Sequence, residues 1–151
     1  MQTPAGRAAG AGGSLEHMRW LAVDAGTVRV GLAICDPEER LAVPLEIVSA
    51  SAAYPAIRAI ATRESVEGIV MGLPLHMGGG EGDSAAMARR LGERIAKGLG
   101  LPVEYEDERL TSSEAARLGG TGKPSDDIAA ALILEQFLAR RRPESRDAER
   151  P

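Results

Sequence analysis

Three acidic stations along the chain could do chemistry together. Asp24 ends a short apolar run inside the segment Asp24-x-Gly26-Thr27-x-Arg29-x-Gly31. Asp107-Glu108-Arg109 lies just past the last apolar stretch of strand character, and Asp126-Asp127 opens the final helical segment. Each has an ordinary explanation when taken alone. An aspartate can cap a turn, an acidic strand end can simply be solvated, and carboxylates favour a helix N-terminus. Taken together they point elsewhere, because clustered carboxylates repel one another unless cations sit between them. Hard divalent cations with oxygen ligands fit such a cluster, and magnesium binds carboxylates together with substrate phosphates. Two such ions about 3.5–4 Å apart activate a water and stabilise the leaving oxygen in phosphodiester cleavage. Adjacent helix residues point about 100° apart, so Asp126 and Asp127 cannot serve one metal equally.

The elements that must deliver these acids can be read from patterning. Arg19–Val23, Arg29–Cys35 and Leu41–Val48 read as three strands with short connections, an antiparallel meander. Tyr54–Arg63 has helical spacing, Val66–Met71 is a strand stopped by Gly72-Leu73-Pro74, and Ser84–Leu99 is an amphipathic helix ended by Gly100. Val103–Tyr105 is a last short strand. Thr111–Leu118 reads as a short helix, and Asp126–Leu138 as a strong one capped by Ser125. A meander followed by right-handed crossovers gives an α/β fold, a mixed five-stranded sheet with helices on both faces. Active sites in such sheets lie past the C-terminal strand ends, where the winding direction switches. The first strand is that switch point.

Composition narrows the function further. The chain has 151 residues, close to one ordinary domain, with 44% hydrophobic and 26% charged residues. At 3% aromatic, it lacks the stacking platforms of single-strand binders. One cysteine, Cys35, allows neither an internal disulfide nor a cysteine-cluster zinc site, and reads as a small buried hydrophobe. The net charge is −4, and the stretch 139–151 is locally basic, so the body is more acidic than the whole. Nucleic-acid contact must then be local, or carried by metal ions that reverse the sign of an acidic site. Residues 1–17 are Gly/Ala-rich and read as a disordered tail, 18–139 as the domain and 140–151 as a flexible tail. No run is long and apolar enough for a membrane span or a convincing signal peptide, so the expected compartment is cytoplasmic.

Four segments carry a resemblance: LAVDAGTVRVGLAICDP (Leu21–Pro37), IVMGLPLHMGGGEG (Ile69–Gly82), YEDERLTSSEA (Tyr105–Ala115) and SDDIAAALILEQFL (Ser125–Leu138). In this order and spacing the chain resembles the YqgF/RuvX family, Holliday-junction-resolvase-like or pre-16S ribosomal RNA nucleases of the ribonuclease H-like superfamily. The resemblance implies a ribonuclease H-like fold and a nuclease dependent on magnesium or manganese. Its implied role is 5′-end maturation of 16S ribosomal RNA, with structured RNA or branched DNA as partner and a ribosomal precursor particle as its setting. By motif position it implies Asp24, Glu108 and Asp126 as catalytic metal ligands. Two departures stand out: His76 where the family commonly has Asn, and a short link at Gly119–Pro124 where the family is longer and more basic.

Substrate contacts are expected from Thr27, Arg29, Arg109 and Gly79. Guanidinium forks suit phosphate oxygens, although either arginine could instead tether a neighbouring carboxylate. The loop Gly78–Gly82 either offers backbone amides to a phosphate or merely leads into the following helix. Asp-x-Gly-Thr also opens actin-like and sugar-kinase ATPases, but those enclose a nucleotide between two domains. A non-catalytic RNA-binding assembly factor on the same fold is the further alternative. Convergence of Asp24, Glu108 and Asp126 is what separates it from an enzyme.

Overall fold

A computed structural model describes residues 17–74, 82–108 and 125–141. The expected helix at 111–118, the substrate candidates Gly79 and Arg109, His76, and the tails 1–16 and 142–151 lie outside the described residues. Five strands, β1 (Trp20–Ala25), β2 (Arg29–Cys35), β3 (Ala42–Ser49), β4 (Gly68–Leu73) and β5 (Val103–Asp107), form one sheet in the order β3-β2-β1-β4-β5. The β1–β2 and β2–β3 pairs are antiparallel, while β1–β4 and β4–β5 are parallel. This is the expected meander with two parallel strands added, and β1 is where the two halves meet. Three α-helices and a short 3-10 helix (Ala50–Ala52) accompany it among the described residues, the α-helices being α1 (Ala53–Arg63), α2 (Asp83–Leu99) and α3 (Asp126–Arg141).

Strand alternation sorts the sheet's side chains onto two faces. Leu21, Val23, Leu32, Ile34, Ile69 and Met71 pack beneath Ile57 and Ile60 of α1 and Ala85, Ala88 and Ile95 of α2. Trp20, Ala22, Ala33, Cys35 and Val70 face Ala130, Ile133, Leu134 and Phe137 of α3. Trp20 and Phe137 meet edge to face with centroids 4.7 Å apart, the arrangement that the ring quadrupoles favour. Cys35 is buried as expected. Its Sγ accepts the Trp20 backbone N–H at 3.1 Å, and burial pushes the thiol up to about 11.

Several boundaries move, each for a visible reason. Asp24 lies within β1 rather than in the turn after it, because it pairs with Gly31 and Ala25 pairs with Val30. β4 begins at Gly68 rather than Val66, whose N–H is spent on the carbonyl of Ala61 at the end of α1. β5 continues two residues past Tyr105, since parallel pairing with β4 holds as far as Leu73 and Asp107. The final helix runs to Arg141, not to the expected end at Leu138, and past the expected domain end at 139. Its last two arginines are anchored: Arg140 pairs with Glu106, and Arg141 with the buried Glu39 at 2.9 Å.

Candidate active site

The face covered by α3 is the one that Asp24, Glu108 and Asp126 approach, whereas Asp107 shares the opposite face with Tyr105 and Leu73. Ala22 belongs to that face and Val23 and Ala25 to the other, so alternation turns Asp24 toward α3. Its cross-strand partner Gly31 lies on the same face, and there the helix start touches the sheet. A Cβ built on Gly31 would stand 2.0 Å from the Asp126 carbonyl oxygen and 2.7 Å from the Asp127 nitrogen. Only glycine lets the first turn of α3 settle on β2, beside the strand pair that carries Asp24.

Glu108 arrives from the opposite side by the same device. β5 pairs with β4 so that Gly72 opposes Glu106, and Glu108 follows the strand directly. A Cβ on Gly72 would lie 2.7 Å from Glu108 Oε2 and 2.6 Å from Ile133 Cδ1. The glutamate carboxylate therefore folds back across β4, beneath α3. Register puts Val23 beside Met71, so Asp24 and Gly72 are the next residues along two neighbouring strands. Two glycine positions thus floor a zone to which β1, the end of β5 and the start of α3 each contribute one carboxylate.

The side chains are not gathered into a ligand set. Among the described residues, no three His, Cys, Asp or Glu side chains are placed to hold a metal ion together. Asp126 shows one reason: its Oδ2 accepts a hydrogen bond from Arg29 Nε at 3.0 Å. Of the two uses the sequence allowed for Arg29, the structure displays the tether to a carboxylate. Asp127 behaves differently from its neighbour. Its Oδ1 accepts the Ser125 hydroxyl at 2.7 Å and the Ile128 N–H at 2.9 Å, so it closes the helix's first turn. Ser125 holds the cap position, with its carbonyl accepting the Ala129 N–H at 2.8 Å. Its hydroxyl, however, donates to Asp127 instead of accepting a backbone N–H. Thr27 lies in the β1–β2 turn, and no hydrogen bond joins it to a site residue among the described residues.

One acid escaped the sequence reading. Glu106 is buried, 2% exposed, and is held from α3 by Gln136 Nε2 and by both Nε and an Nη of Arg140. The Gln136 amide also donates to the Asp107 carbonyl at 3.3 Å. This clamp fixes the end of β5 immediately before Glu108. The available signal was the two-residue spacing from Glu106 to Glu108, which places both on one face, with Gln136 and Arg140 one helical turn apart.

A β3-β2-β1-β4-β5 sheet between two helix layers, with carboxylates at the switch strand, is a ribonuclease H-like domain. The fold is that of a Thermus thermophilus RuvC structure, "T. thermophilus RuvC in complex with Holliday junction substrate". The TM-score is 0.54 over 84% of this chain and 97% of that one, at 18% identity. The chain belongs to the RuvX family, described as "Holliday junction resolvase", whose model matches residues 18–140. Two relatives carry the name "Putative pre-16S rRNA nuclease". The one from Streptomyces coelicolor is 40% identical over 140 residues, covering 84% of this chain and 83% of the relative. The one from Anaeromyxobacter sp. (strain K) is 42% identical over 137 residues, covering 83% and 100%.

Proposed function

We propose that this chain is a divalent-metal-dependent phosphodiester nuclease that acts on structured RNA in 5′-end maturation of pre-16S ribosomal RNA, in the cytoplasm. The observation that supports the reading is the close approach of Glu108 to Gly72 on β4 and of the Asp126 backbone to Gly31 on β2, the cross-strand partner of Asp24. The relatives' shared name supports the RNA substrate. Among the described residues no helix is long and apolar enough to cross a membrane.

The donor chemistry fits magnesium or manganese. All three candidate ligands are carboxylates, the donors that hard divalent cations prefer, and the missing Cβ atoms at Gly31 and Gly72 let the Asp126 backbone and the Glu108 carboxylate approach the sheet closely. When bound, the metal would supply water activation and charge stabilisation at the leaving oxygen. The chain's own residues do the rest. Gly31 holds the helix start, and so Asp126, against β2. The Glu106–Gln136–Arg140 clamp holds the strand end that carries Glu108. Arg29, two-thirds exposed at the rim, supplies a cation within reach of a phosphate at the site.

A second reading, cleavage of branched DNA, is favoured by the family's description. One assay separates the readings: precursor 16S RNA and a four-way DNA junction, each with magnesium, manganese, calcium or chelator. RNA cleavage with magnesium or manganese and little with calcium is expected, because calcium's looser coordination misplaces the attacking water. Cleavage undiminished in chelator overturns the metal-dependent reading. RNA binding with no cleavage under any metal makes the protein a non-catalytic assembly factor.

A further inference from the structure

We propose that Arg29 is an exchangeable counter-ion for the metal site: it neutralises Asp126 when no divalent cation is bound and passes to a substrate phosphate when the carboxylate turns to metal. The proposal rests on the metal-dependent reading above and assigns Arg29 a positioning role that the carboxylates alone do not require.

The geometry makes the exchange feasible. Arg29 opens β2 two residues before Gly31, so alternation puts both on the α3 face, one pleat apart. The guanidinium therefore flanks the helix start that Gly31 admits, and its Nε meets Asp126 Oδ2 at 3.0 Å. The backbone beneath it is pinned: its carbonyl accepts the Gly26 N–H at 2.9 Å, and the carbonyl of Val28 accepts the Ala50 N–H at 2.8 Å. The side chain is not pinned, being 65% exposed against 33% for Asp126. An ion pair this exposed is weak enough to break when a divalent cation competes for the carboxylate. A freed guanidinium keeps its charge and its donor fork, which match phosphate oxygens.

The test compares the full chain with Arg29→Met and Arg29→Lys. Manganese binding is titrated by calorimetry without nucleic acid, and kcat and KM are measured on precursor RNA. Loss of the competing cation should tighten manganese binding in Arg29→Met by about 1.5- to 5-fold at low salt, the range of an exposed ion pair. The gain should shrink as sodium chloride screens the pair. The same variant should raise KM more than it lowers kcat, and Arg29→Lys should recover part of the KM. Unchanged or weaker manganese binding in Arg29→Met, with the wild type binding normally, overturns the exchange and leaves the nuclease reading standing. A wild-type chain that binds no manganese overturns both.

Discussion

The two faces of the sheet are built to different rules. Under α1 and α2 the contacts are aliphatic: Leu21, Val23, Ile57, Ile60, Ile69 and Met71 are almost wholly excluded from water. At its rim Arg89 and Arg94 stack on Tyr105 and Tyr54, at 5.0 and 4.1 Å from the ring centres. Under α3 the layer is thinner, with alanines and Trp20 and Phe137 at one end and glycines and carboxylates at the other. The first face supplies rigidity, and the second trades apolar contact for charged groups that a helix start and two strand ends can bring together. Mutations on the two faces should therefore separate stability from activity.

The largest effect is expected at Asp126. Asp126→Asn keeps the size and removes the charge a metal needs, so cleavage should fall by three to four orders of magnitude, about 4–5.5 kcal/mol of barrier. The melting temperature should fall only slightly, because the charge lost is that of an exposed ion pair with Arg29 at a helix start. Unfolding of this variant would place Asp126 in the scaffold rather than in the chemistry. Ile57→Ala should do the reverse. Truncating a wholly buried side chain under α1 should remove about 2–5 kcal/mol of stability, with metal affinity of the folded fraction unchanged.

Glu106 tests the boundary between the faces, because it is a buried acid on the functional side that is offered as structural support. Glu106→Gln removes the charge that Arg140 pairs with, and about 1–3 kcal/mol of stability should be lost, the scale of a charged hydrogen bond. The amide keeps one acceptor for Gln136, so Glu108 should stay near Gly72 and activity should fall less than tenfold. A loss matching that of Asp126→Asn would make Glu106 itself a participant.

How much of this was legible in the sequence depends on periodicity. The meander, the crossovers and the burial of Cys35 follow from apolar runs and turn residues. Their ends do not, because pairing partners set them: Asp24 and Glu106 are strand residues only because Gly31 and Gly72 lie opposite. The roles of those glycines were hidden for the same reason, since close approach by another segment leaves no local mark. Asp36 is an intermediate case. Asp36-Pro37 reads as a strand stop, but not that the carboxylate collects the N–H groups of Leu41, Arg40 and Glu38. Slight burial pushes its pKa up, and these backbone donors outweigh it and hold the group below the ordinary aspartate value. A folded-state pKa below the unfolded one stabilises at pH above the unfolded value and is lost as pH falls through the folded one. The difference in melting temperature between wild type and Asp36→Asn should thus be full near neutrality and shrink below about pH 4. A gap that widens in acid would contradict the turn's hydrogen bonding.

The smallest effect is expected one residue from the largest. Asp127 adjoins Asp126, yet its Oδ1 is committed to Ser125 and to the Ile128 N–H at the helix start. Asn keeps that oxygen as an acceptor, so Asp127→Asn should lose only the charge's interaction with the helix N-terminus. That is at most about 1 kcal/mol of stability. Adjacent residues on a helix differ by about 100° in direction, and only Asp126 reaches Arg29 across the sheet. Cleavage and manganese affinity of Asp127→Asn should therefore stay within about twofold of wild type, below the 0.5 kcal/mol that surface substitutions commonly produce. Measuring both variants side by side fixes the register of α3 on the sheet. If Asp127→Asn is inactive while Asp126→Asn cleaves normally, the ligand role passes to Asp127, and the contact between Gly31 and the helix start aims the wrong carboxylate.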